Sequence, residues 1–146
     1  MVNTGIILQI KRSIKKGVTE IIDQPVGLIR DFGIEKDAHG KKGNRQLTLM
    51  TKKNADALAN VRDQGLCTQR FNENILISDV DKDLLQPGVR ICFKTAQIEI
   101  TEIGKTCFGC DLSDTHQFCP LVDDVIFAEV CEEGIIKVGD IFEINI

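Results

Sequence analysis

Apolar and polar residues alternate over most of this chain, in short runs bounded by Gly, Pro and polar clusters. That period of two is the mark of strands with one buried face. The first run covers residues 6–11. A second covers 18–23, and Pro25 closes it because proline has no N–H to give a ladder. Residues 26–30 read as a third. Alternation then fails across 33–44, where three glycines and many polar residues predict a loop. It resumes over 45–51, with Leu47 and Leu49 on one face.

Residues 52–64 follow a different period. Ala55, Leu58 and Val61 share one side at helical spacing and Ala57 adjoins them. Thr51 is placed to cap this helix, and Gly65 stands where it should stop. Strand character returns at 71–77. Pro87-Gly88 predicts a turn, and 89–94 with 97–103 flank Thr95-Ala96 as a hairpin. Residues 125–131, a turn at 132–134 and a last run over 135–144 complete the pattern. Cys92 and Cys131 fall inside these apolar runs and read as packing residues. Many short strands and one helix predict a mostly β protein, a closed or half-closed β-barrel that hides its sheet edges. No internal repeat or linker divides the chain, so residues 1–146 read as a single domain.

Charge narrows the partners. The formal net charge is −4, and there is no Trp or Tyr for stacking on bases. Nucleic acid and anionic membrane are therefore not expected as partners. No apolar run reaches the length of a membrane span. The first residues lack a basic, then apolar, secretory pattern, so a cytoplasmic location is expected. Thiols stay reduced there, and the six cysteines read as thiols or metal ligands before disulfides. Lys11 to Lys16 reads as a solvated basic face.

The candidate chemistry centres on one polar segment. Lys105-Thr-Cys107-Phe-Gly-Cys110 is followed by His116 and Cys119. Cysteines among Asp, Gly and Ser are there for reactivity or metal more often than for packing. Cys107 is the candidate working thiol, and Lys105 is close enough in sequence to favour its thiolate. Cys110, His116 and Cys119 complete four ligand types suited to tetrahedral zinc, or a dithiol redox pair, although the spacing is short for zinc. A second constellation is Asp37, His39 and Arg45 in and beside the Gly-rich loop. With Lys41 and Lys42 these residues offer donors to a small anionic cofactor. Hydrogen bonding of Asp37 and His39 within the loop is an equal reading. Glu73 and Asn74 open a strand, as ligand residues or as a turn. The two loops are expected to face one cleft.

Taken in order, these segments resemble the MOSC domains, the family related to the C-terminus of molybdenum cofactor sulfurase. The resemblance rests on Gly33-Ile-Glu-Lys-Asp37-Ala-His39-Gly and Arg45-Gln-Leu, then Glu73-Asn74-Ile75, then Pro87-Gly88 with the strand after it. Gly104-Lys-Thr-Cys107, Cys119-Pro-Leu and Gly134-Ile-Ile-Lys-Val-Gly-Asp140 follow, as in small stand-alone bacterial members. Lys36 replaces the family's usual glycine, and the two loop cysteines are one residue closer than is common.

The resemblance implies a β-barrel that binds molybdenum cofactor (molybdopterin), or carries sulfur as a persulfide on Cys107. It also implies a PLP-dependent cysteine desulfurase or a molybdoenzyme as partner. In that reading Cys107 is a molybdenum ligand or sulfur carrier, and Asp37, His39, Arg45, Glu73, Asn74 and Lys105 surround the cofactor. The activity would be sulfur transfer or a part in molybdenum-dependent reduction. The rivals are a non-catalytic cofactor-binding domain and the zinc or dithiol module built on Cys107, Cys110, His116 and Cys119.

Overall fold

The computed structural model describes residues 3–15, 17–61, 71–104 and 125–145. Strands β1 (Thr4–Lys15), β2 (Val18–Ile21), β3 (Val26–Ile29), β4 (Gly33–Ile34) and β5 (Leu47–Thr51) precede helix α1 (Lys52–Val61). Then come β6 (Ile75–Ile77), a 3-10 turn (Lys82–Leu84), β7 (Arg90–Cys92) and β8 (Gln97–Ile103). The last strands are β9 (Ile126–Glu132), β10 (Gly134–Ile136) and β11 (Ile141–Asn145).

Seven of the described strands close a barrel in the order β11-β7-β8-β9-β5-β6-β1, with β1 pairing back to β11. Closure leaves no open edge in the ring. It is possible because β1 is long enough for three neighbours. Thr4 to Ile6 pair with β11, Ile7 to Ile10 with β6, and Lys11 to Lys15 with β2. β5 and β6 run parallel. Parallel neighbours need a long crossover, and α1 lies in it. β10, β3 and β4 form a separate small sheet.

The alternation in sequence becomes the inside and outside of this barrel. Leu47, Leu49, Ile98, Ile100 and Phe142 point inward and are fully buried. Phe93 meets Phe142 edge to face, with ring centroids 5.9 Å apart. Gly5 lies opposite Phe142, and a Cβ there would penetrate the ring. A second apolar cluster sits outside the barrel wall, where Leu58 of α1 covers Met50, Val125 and Phe127. Thr51 caps the helix, its Oγ1 accepting the Asn54 N–H at 3.3 Å.

Four expectations are corrected here. Lys11 and Arg12 lie within β1 and are not a simple solvated face. The Lys11 ammonium reaches buried Glu73 at 3.3 Å, and Arg12 donates to Glu20 at 2.6 Å. The 33–44 loop opens with a strand, β4. Residues 71–74 lie outside any strand, and pairing starts at Ile75. Cys92 and Cys131 are half-exposed free thiols, not core residues. Period two explains this for Cys92: Ile91 and Phe93 are buried, so Cys92 faces outward, its sulfur accepting from Asn145 at 3.2 Å.

Candidate functional site

Asp37, Asn74 and Glu73 are brought together from distant parts of the chain. Asp37 is buried, and its Oδ1 accepts the Ser13 N–H at 2.9 Å and, less well, the His39 N–H at 3.5 Å. Its Oδ2 accepts from the Asn74 amide at 3.2 Å. That amide also donates to the Lys11 carbonyl at 3.2 Å. Asn74 Oδ1 takes the Thr48 N–H at 3.0 Å and the Thr48 hydroxyl at 3.2 Å. One side chain thus ties β1, β5, the entry to β6 and the Gly-rich loop. Glu73 beside it is buried and neutralised by Lys11. Hydrogen bonds of this kind let polar groups stay buried in the barrel wall. Through these bonds Asp37 ties the Gly-rich loop to β1 and to the entry of β6. His39 is exposed and lends its backbone N–H.

Lys36 explains itself through the backbone. It sits at φ 61°, the left-handed region that glycine enters without steric cost. Glycine, which the resembled motif carries there, would enter this conformation at less cost than Lys36.

Arg45 is separate from that knot but close to it along the sheet. Its guanidinium grips Glu102 with two hydrogen bonds, at 3.2 and 3.1 Å, and lies over the Phe127 ring, 4.4 Å from the centroid. Hydrogen bonding to Glu102 raises the Arg45 pKa, with burial opposing weakly, so the group is permanently cationic. Both partners are substantially exposed. An exposed pair of this kind contributes about 0.2–1 kcal/mol, so an incoming anion can displace Glu102 at small cost. Register explains the neighbourhood. Thr48 lies opposite Phe127, and Phe127 opposite Glu102. The Asn74 knot, Arg45 and the end of β8 therefore share one belt around the barrel.

Lys105, Cys107, Cys110, His116 and Cys119 lie outside the described residues. The points where their segment leaves and rejoins the barrel are described. The Gly104 N–H donates to the Val125 carbonyl at 2.7 Å, and Ile103 pairs with Ile126. A cavity of about 440 Å³ opens at this place. Ile103, Ile126 and Leu85 give it an apolar floor, and Lys53, Asn54 and Gln86 bring polar groups to it. Its size falls in the range of small-molecule sites. The first turn of α1 is not a vacant anion site, because Asp79 already accepts the Lys53 N–H at 2.8 Å. Among the described residues no three His, Cys, Asp or Glu side chains are grouped to hold a metal ion.

Sequence reading missed Glu102, Phe127, Thr48 and Ser13. Their roles depend on pairings between distant segments, and only the outward phase of Thr48 and Glu102 in their alternating strands hinted at them.

No protein-family profile and no curated protein matches the chain in sequence. Its fold is shared with solved structures. The YuaD protein of Bacillus subtilis superposes with a TM-score of 0.70 at 18% identity, over 97% of this chain and 95% of that one. YiiM of Escherichia coli gives 0.62 at 14% identity, over 98% and 68%. YiiM of Geobacillus stearothermophilus gives 0.53 at 14% identity, over 96% and 72%. At these identities the likeness is one of fold: this chain has the barrel of YuaD and YiiM. No helix among the described residues is long and apolar enough to cross a membrane.

Proposed function

We propose that this chain is a MOSC-type domain that binds molybdenum cofactor or carries sulfur toward a metal centre, with Cys107 as its working thiol. The observation that carries the proposal is the cavity whose floor includes Ile103 and Ile126, the residues that bracket the cysteine segment. Three peptide units separate Gly104 from Cys107. Lys53 and Lys82 bring cationic groups for phosphate to the cavity and Asn54 and Gln86 offer amides for ring edges, beside the Asp79 carboxylate that also lines it. When bound, the cofactor supplies an oxidisable metal and soft thiolate ligation.

In the sulfur-carrying form, the Cys107 thiolate attacks the outer sulfur of a desulfurase persulfide. A new S–S bond forms to Cys107, the desulfurase S–S bond breaks, and its cysteine departs as thiolate. No outside oxidant is needed.

Incubating the protein with a PLP-dependent cysteine desulfurase and cysteine tests this. Intact mass should rise by one sulfur atom, and peptide mapping should place it on Cys107. The Cys107→Ser variant should fold normally and take up none. Loading at another cysteine, or full loading of the variant, refutes the role of Cys107. Metal analysis of protein purified from its native host separates the branches. Molybdenum without persulfide favours simple cofactor binding, and zinc favours the ligand set Cys107, Cys110, His116 and Cys119.

A further inference from the structure

The β1–β2 hairpin leaves the closed barrel and ends in an edge. β2 pairs with β1 on one side, and no other described strand adds to it. The Ile22 N–H bonds to the Ile10 carbonyl at 2.8 Å, and Glu20 lies opposite Arg12 two residues on. Antiparallel alternation then directs the N–H and C=O groups of Thr19 and Ile21 away from β1, toward open space. The same hairpin exposes Ile14 (56%), Val18 (37%) and Ile21 (59%). An open edge flanked by exposed aliphatic side chains is a template for another strand.

We propose that the second strand is β2 of another copy, pairing antiparallel about a two-fold axis at Thr19. Charge decides the partner. Lys11 and Arg12 are consumed within the monomer by Glu73 and Glu20. Lys15 and Asp23 are exposed, and no ion pair involving either is found among the described residues. They carry opposite charges on one hairpin, so a two-fold axis satisfies both twice. Charge also decides the register. Outward-facing residues must meet outward-facing residues, so the axis passes Thr19, Glu20 or Ile21. An axis at Glu20 sets two carboxylates opposite each other. An axis at Ile21 carries Asp23 away from the hairpin tip. With the axis at Thr19, threonine faces threonine, a favourable cross-strand pair. Val18 then faces Glu20, and Ile21 covers Gly17, above which the structure leaves open space. Asp23 of the second copy comes to the tip that carries Lys15. Contact limited to one short edge is small, so the dimer is weak and dependent on concentration.

Sedimentation equilibrium of the whole chain in reducing buffer tests this, from about 1 µM to about 1 mM. The weight-average mass should rise from 16.2 kDa toward twice that value. Asp23→Lys sets like charges at the tip and should keep the protein monomeric. Adding Lys15→Glu to it should restore the dimer. Thr19→Pro removes an outward N–H without touching the β1 ladder and should also abolish association. Sedimentation as a monomer throughout the range overturns the proposal. So does a dimer indifferent to Asp23→Lys, or one that the double exchange fails to restore. The exposed charge variants keep the test decisive should Thr19→Pro fold poorly.

Discussion

Replacing Asn74 with Ala tests whether the polar cluster on the barrel wall is scaffolding or a ligand site. The side chain makes four hydrogen bonds: two from Thr48, one to the Lys11 carbonyl and one to Asp37. Three are neutral, at 3.0–3.2 Å, and a neutral bond nets about 0.5–1.5 kcal/mol. The bond to the Asp37 carboxylate nets about 1.5–3 kcal/mol, and its loss leaves a buried charge short of a donor. Asn74 is only half-buried, so water recovers part of this. The expected loss is about 3–4 kcal/mol, and a melting temperature lower by about 10 °C. Urea unfolding followed by circular dichroism measures the first and calorimetry the second. Asn74→Asp should be worse at neutral pH, because a second carboxylate then faces Asp37. A loss below about 1 kcal/mol, with cofactor or sulfur loading abolished, refutes the scaffold argument and makes Asn74 a ligand residue.

Three further outcomes are expected. Lys36→Gly relieves a left-handed backbone worth about 1–2 kcal/mol against about 0.5–1 kcal/mol of extra chain entropy. A net gain of about 0.5–1 kcal/mol in urea unfolding should follow, and destabilisation would contradict the φ of 61°. Gly5→Ala drives a methyl into the Phe142 ring and should cost about 1–3 kcal/mol, read by the same assay. Cys131 has its pKa raised, first by burial and then by the nearby Glu99 carboxylate. The thiol is therefore neutral in the folded state where the unfolded chain already ionises. Its contribution to stability is complete below the unfolded pKa and is lost as pH rises through the folded one. Alkylation of Cys131, mapped by mass spectrometry, should half-saturate at a higher pH than a peptide control, and Cys107 should label first of all six cysteines.

Strand phase was legible wherever one face is buried. Leu47 and Leu49, or Ile98 and Ile100, announce the barrel interior by spacing alone, and Thr51 with Leu58 announces the helix. The same rule, applied strictly, would have put Cys92 outside, since Ile91 and Phe93 claim the inner phase. The single site cluster that the structure describes was legible in its members but not in its wiring. Asp37, Glu73 and Asn74 are polar residues at the entrances to apolar runs, which flags them. Their partners Ser13, Lys11 and Thr48 lie 24, 62 and 26 positions away. Separations like these are set by barrel closure, which no local period encodes.

Arg45 shows how that wiring bears on function. From sequence, it reads as an anion donor beside the Gly-rich loop, where alternation resumes. In the fold it precedes β5 by two residues and is fixed instead by Glu102 and by the face of Phe127. Phe127 also joins the apolar cluster under α1, and its strand neighbour Ile126 floors the cavity. Glu102 stands two residues before Gly104, where the cysteine segment begins. An anion that draws Arg45 from Glu102 therefore frees a carboxylate at the root of that segment, while Phe127 holds the guanidinium in place. Arg45→Gln should then weaken anion binding. Glu102→Gln should strengthen it by up to about fivefold, the most that an exposed pair of about 1 kcal/mol can withhold. Isothermal titration with a phosphate monoester reads both, and equal affinity in the two variants would show that Arg45 only fastens its loop to the barrel.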